Sequence, residues 1–189
     1  DDYFGYGGLA VDAQDPDTVM VAALNSWWPD TILFRSTDQG ATWTRIWDWA
    51  GFPVRTLRYV QDISAAPWLV FTDLNPQLPV PSPKLGWMVG DLEIDPFDSN
   101  KLLYGTGATI YGADDLLAWD TGGQTHVEVK AQGLEETAVL DLVSPPSGAP
   151  LISGLGDING FRHASLAGPP APTSPTARAR TWLLPVGWR

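Results

Sequence analysis

Asp157 is a carboxylate that could do acid–base chemistry, the single one in the stretch SGLGDINGFRH from Ser153 to His163. Leu155, Ile158 and Phe161 lie close to it in sequence, and Gly160, Arg162 and His163 follow. A carboxyl group buried among apolar side chains holds its proton to higher pH, because burial penalises the charged form, and a general acid must be protonated to act. Arg162 and His163 would oppose that shift if they approach, since positive charge favours the carboxylate. The same Asp can instead only shape a turn by accepting backbone hydrogen bonds. The residues leave both readings open.

Other arrangements point to less. Gly105 to Gly112 reads GTGATIYG, but no helical pattern follows it, so a glycine-rich strand end is a better account than a dinucleotide loop. Ser147 in SPPSGAP lacks a G-x-S-x-G elbow, and neither His126 nor His163 has a nucleophile partner in sequence. The two histidines have no metal-ligand spacing and there is no cysteine, so disulfides and thiolate metal sites are excluded, and neither a metal nor a cofactor is expected. The aromatic residues carry more information. Trp27, Trp28, Trp47, Trp49, Trp68, Trp87 and Tyr111 fall near Pro, Gly or Asp, where strands end and loops begin. Such rings stack on the apolar faces of sugars, although each one can equally be a core residue.

The elements that must position these residues are short strands. Apolar runs in the 189 residues are brief and broken by 19 Gly and 17 Pro, and helical periodicity is essentially absent, which makes the class all-β. Three segments repeat one pattern of strand, turn and strand, starting at Leu9, Leu92 and Leu140. They read LAVDAQDPDTVMVAAL, LEIDPFDSNKLLYGTG and LDLVSPPSGAPLISGL, and period-two alternation around Asp, Pro, Asn and Gly predicts hairpins. The starts at 92 and 140 lie 48 residues apart, close to the ~40 to 50 residues of one propeller blade. RSTDQGATW, Arg35 to Trp43, fits S-x-D-x-G-x-T-W and resembles the Asp-box of sialidases and related β-propellers. There Asp38 would accept turn N–H groups, Gly40 would supply an unusual backbone conformation, and Trp43 would pack between blades. GADDLLAW, Gly112 to Trp119, reads as a degenerate copy. The expected architecture is a partial β-propeller of roughly three blades, a fragment of a larger protein.

The net charge of −11 opposes binding to phosphate backbones, so nucleic acid is not an expected partner. No apolar run approaches the ~20 residues needed to span a bilayer, and no leader opens the chain, so no membrane partner is expected and any signal peptide would lie outside it. Residues 164–189 hold three Arg, five Pro, five Ala and no acid, whereas all 22 acids precede them. That tail is expected to be disordered or to come from a coding sequence that has left its frame.

From Tyr6 to His163 the sequence resembles glycoside hydrolase family 74, the xyloglucan-specific endoglucanases and oligoxyloglucan reducing-end-specific cellobiohydrolases. The segments from Tyr6 to Trp49, DISAAPW, SPKLGWM, Leu92 to Gly112 and Ala131 to His163 carry the likeness. The resemblance implies tandem seven-bladed propellers facing across a cleft, and inverting hydrolysis of the β-1,4-glucan backbone of xyloglucan. It places residues 1–90 at the end of the first propeller and 91–163 at the start of the second. A family motif G-D-I-G-G-F-R-H carries the general acid, and Asp157 falls on it, with Asn159 in place of a usual glycine. Inversion also needs a base, set about 6.5 to 9.5 Å from the acid with a water between. In the family that base lies in a D-x-G-G motif, and none occurs here; Asp91 in VGDLEIDP is the nearest imitation. Ala164 and Ser165 replace the acidic pair that commonly follows F-R-H. The implied protein is secreted, monomeric at full length, and acts on xyloglucan or its oligosaccharides, with Trp27, Trp28, Trp87 and Tyr111 as sugar-stacking candidates. The isolated chain is expected to be weakly active or inactive. A non-catalytic propeller module that binds glycan or protein is the competing reading, and a misassembled or frameshifted gene model with no function is a third.

Overall fold

The structure, a computed structural model, describes residues 2–66, 84–131, 138–155 and 159–168. The chain divides into two compact units, the first described over 2–66 and 84–131 and the second over 138–155 and 159–168.

In the first unit, β1 (Asp2–Val11), β2 (Val19–Trp28), β3 (Leu33–Ser36) and β4 (Thr44–Arg45) form an antiparallel meander. A hairpin of β5 (Trp47–Gly51) and β6 (Val54–Leu57) follows. A second meander consists of β8 (Asp91–Ile94), β9 (Leu102–Gly105), β10 (Ile110–Ala113) and β11 (Thr125–Val129), and β7 (Tyr59–Asp62) pairs in parallel with β11 at its edge.

The two leading hairpins turn by the same chemistry. The Gln14 N–H donates to the Asp12 carboxylate at 2.9 Å and the Thr18 N–H to the Asp15 carbonyl at 2.9 Å. Likewise, the Phe97 N–H donates to the Asp95 carboxylate at 2.8 Å and the Lys101 N–H to the Asp98 carbonyl at 2.9 Å. An Asp at each turn start satisfies N–H groups that the ladders cannot reach. Between the two sheets, Gly8 of β1 lies over Leu92 of β8, where a Cβ would come within 2.6 Å of the Leu92 Cβ; glycine is what permits this approach.

The Ser36–Trp43 turn forms around its two short polar side chains. The Asp38 carboxylate accepts the Ser36 Oγ at 2.8 Å, the Thr42 N–H at 2.8 Å and the Thr42 Oγ1 at 2.6 Å. These bonds, those from Thr42 foremost, hold the Asp38 carboxyl below its ordinary range. The expected place of Trp43 between blades is corrected: it is 42% exposed and donates to the Gly40 carbonyl of its own turn at 2.9 Å. Trp119 takes the inter-sheet position instead, 3% exposed with its Nε1 donating to Thr44 Oγ1 at 2.9 Å. It belongs to a 3-10 helix, η1 (Leu116–Thr121), so the stretch read as a degenerate turn copy runs from the end of β10 into a helical turn. Beside it, buried Arg35 forks onto Asp120, with Nε and Nη2 each 2.7 Å from a carboxylate oxygen.

In the second unit, β12 (Val139–Val143), β13 (Leu151–Leu155) and β14 (Asn159–His163) form a three-stranded antiparallel meander. All three hairpins predicted from alternation are therefore present. The first unit is continuous across residues 90 and 91, because β7 before that point and β8 after it share one sheet. Residues 169–189, most of the expected tail, lie outside the described residues.

Candidate functional site

Asp157 lies outside the described residues, but the hairpin that carries it is defined on both sides. β13 and β14 pair from Leu151↔His163 to Leu155↔Asn159. Ser153 Oγ and His163 Nε2 are 2.9 Å apart across this ladder, and Phe161 is buried with its ring edge-on to the His163 imidazole at 6.4 Å. Gly160 sits at φ 147°, and a Cβ there would run into the Ser153 carbonyl oxygen. Arg162 is exposed, and strand alternation sets it on the face opposite Phe161 and His163. The two bases that follow Asp157 therefore diverge, and His163 is tied to Ser153.

The carboxylates that could stand in for a base are engaged locally. The Asp91 carboxylate accepts its neighbouring Leu92 N–H at 3.0 Å, and Asp114 accepts Lys130 Nζ at 2.5 Å. Among the described residues no cluster of His, Cys, Asp and Glu could hold a metal ion.

The aromatic candidates separate. Trp27 and Trp28 end β2, and their side chains lie outside the described residues. Tyr111 is corrected as a sugar-stacking residue: it is fully buried, its ring 5.8 Å from that of Tyr104, so it offers a sugar no face. Its row, Leu92, Tyr104 and Tyr111 in cross-strand register, begins at the residue that packs under Gly8. Trp87 is likewise a packing residue at 8% exposure. A pair that the sequence reading had not joined lies on the β5–β6 hairpin. Trp47 is core, with the Arg45 and Arg55 guanidinium groups 5.3 and 4.9 Å from its ring centre. From it Trp49 and Phe52 step outward at 5.6 Å spacings, and Phe52 is 68% exposed. The Gly-Phe-Pro tip of the hairpin was the available signal for Phe52.

Sequence reasoning also missed Asp30, which no motif surrounds. It is fully buried, and its carboxylate accepts the N–H groups of Thr31 at 2.8 Å, Leu85 at 3.0 Å and Gly86 at 3.3 Å. Buried Arg55 faces it at 3.6 Å, an ion pair without a hydrogen bond. Burial pushes the Asp30 carboxyl up to about 6, against the opposing pull of the Leu85 N–H and the Arg55 charge.

Antiparallel meanders stacked sheet on sheet, with glycine of the edge strand β1 at the contact, define the protein as an all-β partial propeller. No family model matches the chain. It is 67% identical over 171 residues to a xyloglucanase from a Paenibacillus species, covering 90% of this chain and 17% of that protein. It is 60% identical over 166 residues to xyloglucanase Xgh74A of Acetivibrio thermocellus, covering 88% of this chain and 20% of that one. Among solved structures, the GH74 xyloglucanase from Xanthomonas campestris matches with a TM-score of 0.65 at 36% identity, over 89% of this chain and 22% of that one. The Niastella koreensis GH74 enzyme matches with a TM-score of 0.65 at 24% identity, a likeness of fold alone. Over the stretch so matched, the chain belongs to glycoside hydrolase family 74. It spans only 17% to 20% of the length of these curated relatives.

Proposed function

We propose that the chain is a portion of a secreted, monomeric glycoside hydrolase that cleaves β-1,4-glucosidic bonds of xyloglucan with inversion, and that Asp157 is its general acid. The observation that carries this reading is the GDINGFRH segment, astride the β13–β14 hairpin of a chain 67% identical to a protein named a xyloglucanase. Asp157 gives its proton to the glycosidic oxygen as the bond from that oxygen to the anomeric carbon breaks. A water on the opposite face of the sugar, deprotonated by a carboxylate, attacks the same carbon and inverts it. That base is supplied from outside these residues, and the chain holds one half of the catalytic pair. Trp27 and Trp28, at the end of β2, contact the glucan backbone. The Ser36–Trp43 turn is read as a structural Asp-box, away from the chemistry.

The test is release of reducing ends from xyloglucan by this chain and by the full-length protein, each with Asp157 and with Asp157→Ala. Turnover only at full length, and its loss by 10²-fold or more in Asp157→Ala with binding retained, is the expected result. Unchanged turnover in the variant would rule out Asp157 as the general acid, and binding without turnover at full length would leave a glycan-binding propeller as the better reading. Turnover by the short chain would mean that a carboxylate within it, such as Asp91 or Asp114, serves as base.

A further inference from the structure

Asp30 follows the Trp27–Trp28 pair by two residues and joins segments that are distant in sequence. Its Oδ1 accepts the N–H groups of Thr31 and Gly86, and its Oδ2 accepts the N–H of Leu85 and faces Arg55 Nη1. Leu85 and Gly86 lead directly into Trp87. Ser26 Oγ, at the other side of the Trp27–Trp28 pair, donates to the Asp30 carbonyl at 2.7 Å and closes the loop. All of this is buried, and the Arg55 guanidinium nitrogens have no hydrogen-bond partner among the described residues. The Asp30 charge, the Trp47 ring and the Tyr59 side chain are the groups that face Arg55.

We infer that Asp30 is a positioning residue for the Trp27–Trp28 strand end, tying it to the buried segment that enters Trp87 for as long as it is ionised opposite Arg55. Its meaning for function rests on the proposed role of Trp27 and Trp28 in sugar contact. Ionised, the carboxylate only accepts, and every group that faces it donates. A proton on either oxygen turns an acceptor into a donor pointed at an N–H or a guanidinium, so one tie must lengthen, and Arg55 is left as a buried charge without its counter-ion. With the carboxyl pushed up to about 6, the change falls between ordinary acidic and neutral pH. The other titratable and charged groups around it are Arg55 on β6, Tyr59 on β7, Lys84, Tyr104 on β9 and Tyr111 on β10. Burial pushes the three tyrosines further above their ordinary range, so they stay neutral throughout this window.

The experiment follows the indole N–H resonances of the 189-residue chain, labelled with nitrogen-15 at tryptophan, from pH 5 to 7.5. Single Trp→Phe changes assign Trp27, Trp28 and Trp87. The Trp28 and Trp87 signals are expected to move together through one transition near pH 6 that is absent in Asp30→Asn and survives Lys84→Gln. Signals that do not move, or a transition that persists in Asp30→Asn, would overturn the inference. If Asp30→Asn fails to fold, the carboxyl carbon-13 signal of Asp30 in the unsubstituted chain decides. A shared midpoint with the indoles supports the tie, and titration of the carboxyl without them refutes it. None of these readouts depends on hydrolysis, so failure of the proposed reaction and failure of this inference are distinguishable.

Discussion

Asp30 shows how a single buried group sets the pH dependence of the fold. Its folded pKa of about 6 lies above the ordinary value of 3.8, so between these values the folded chain holds a proton that the unfolded chain releases. Stability from this group is fully present below about pH 4 and falls as the pH rises through 6, by roughly 3 kcal/mol. Denaturant midpoints of the chain between pH 4 and 7 should show that decline, and Asp30→Asn should remove this component of the slope. On the hairpin that bears Asp157, Gly160 is the residue least open to change. Its left-handed backbone costs an L side chain about 1 to 3 kcal/mol, before the collision of a Cβ with the Ser153 carbonyl is counted. Gly160→Ala should therefore lower the melting temperature of the second unit and disturb the His163 imidazole signals, whereas His126, paired with Asp115 in the first unit, should not respond.

At the scale of elements, the contact between η1 and the β3–β4 edge concentrates the specific chemistry of the first sheet-to-sheet junction. Two bonds of 2.7 Å join Arg35 to Asp120, and the Trp119 indole reaches Thr44. Arg35 is 2% exposed, so removing its partner leaves a buried, uncompensated cation, a loss of about 3 to 5 kcal/mol. Asp120→Ala should lower the urea midpoint accordingly, and a companion Arg35→Met should recover part of it. Failure of that recovery would show that the fork contributes more than the burial of its charge.

At the scale of the molecule, the two meanders of the first unit are repeats whose matching rows meet different surroundings. Leu9, Val21 and Phe34 stand in cross-strand register as Leu92, Tyr104 and Tyr111 do. Leu92 is fully buried, and Leu9 is 66% exposed. Leu92→Asp buries a carboxylate at the sheet contact and should cost more than about 4 kcal/mol, whereas Leu9→Asp should change stability by less than about 0.5 kcal/mol. Thermal melts of the two variants make the comparison directly, and equal losses would overturn the assignment of the two faces.

The sequence by itself determined the short-range structure. Period-two alternation with Asp, Pro and Gly between the runs fixes three hairpins, because strand and turn preferences act over a few residues. Ser36, Asp38 and Thr42 likewise bond to one another within their own turn. Tertiary structure decided which face of each strand is covered, and therefore what each aromatic residue does. Tyr111 and Trp87 read as loop-edge rings but are packing residues, while Trp43 is exposed and Trp119 is not. Only the fold could bring Asp30, Arg55 and Leu85 together, since burial and ion pairing depend on contacts between residues up to 55 positions apart, which local sequence does not encode.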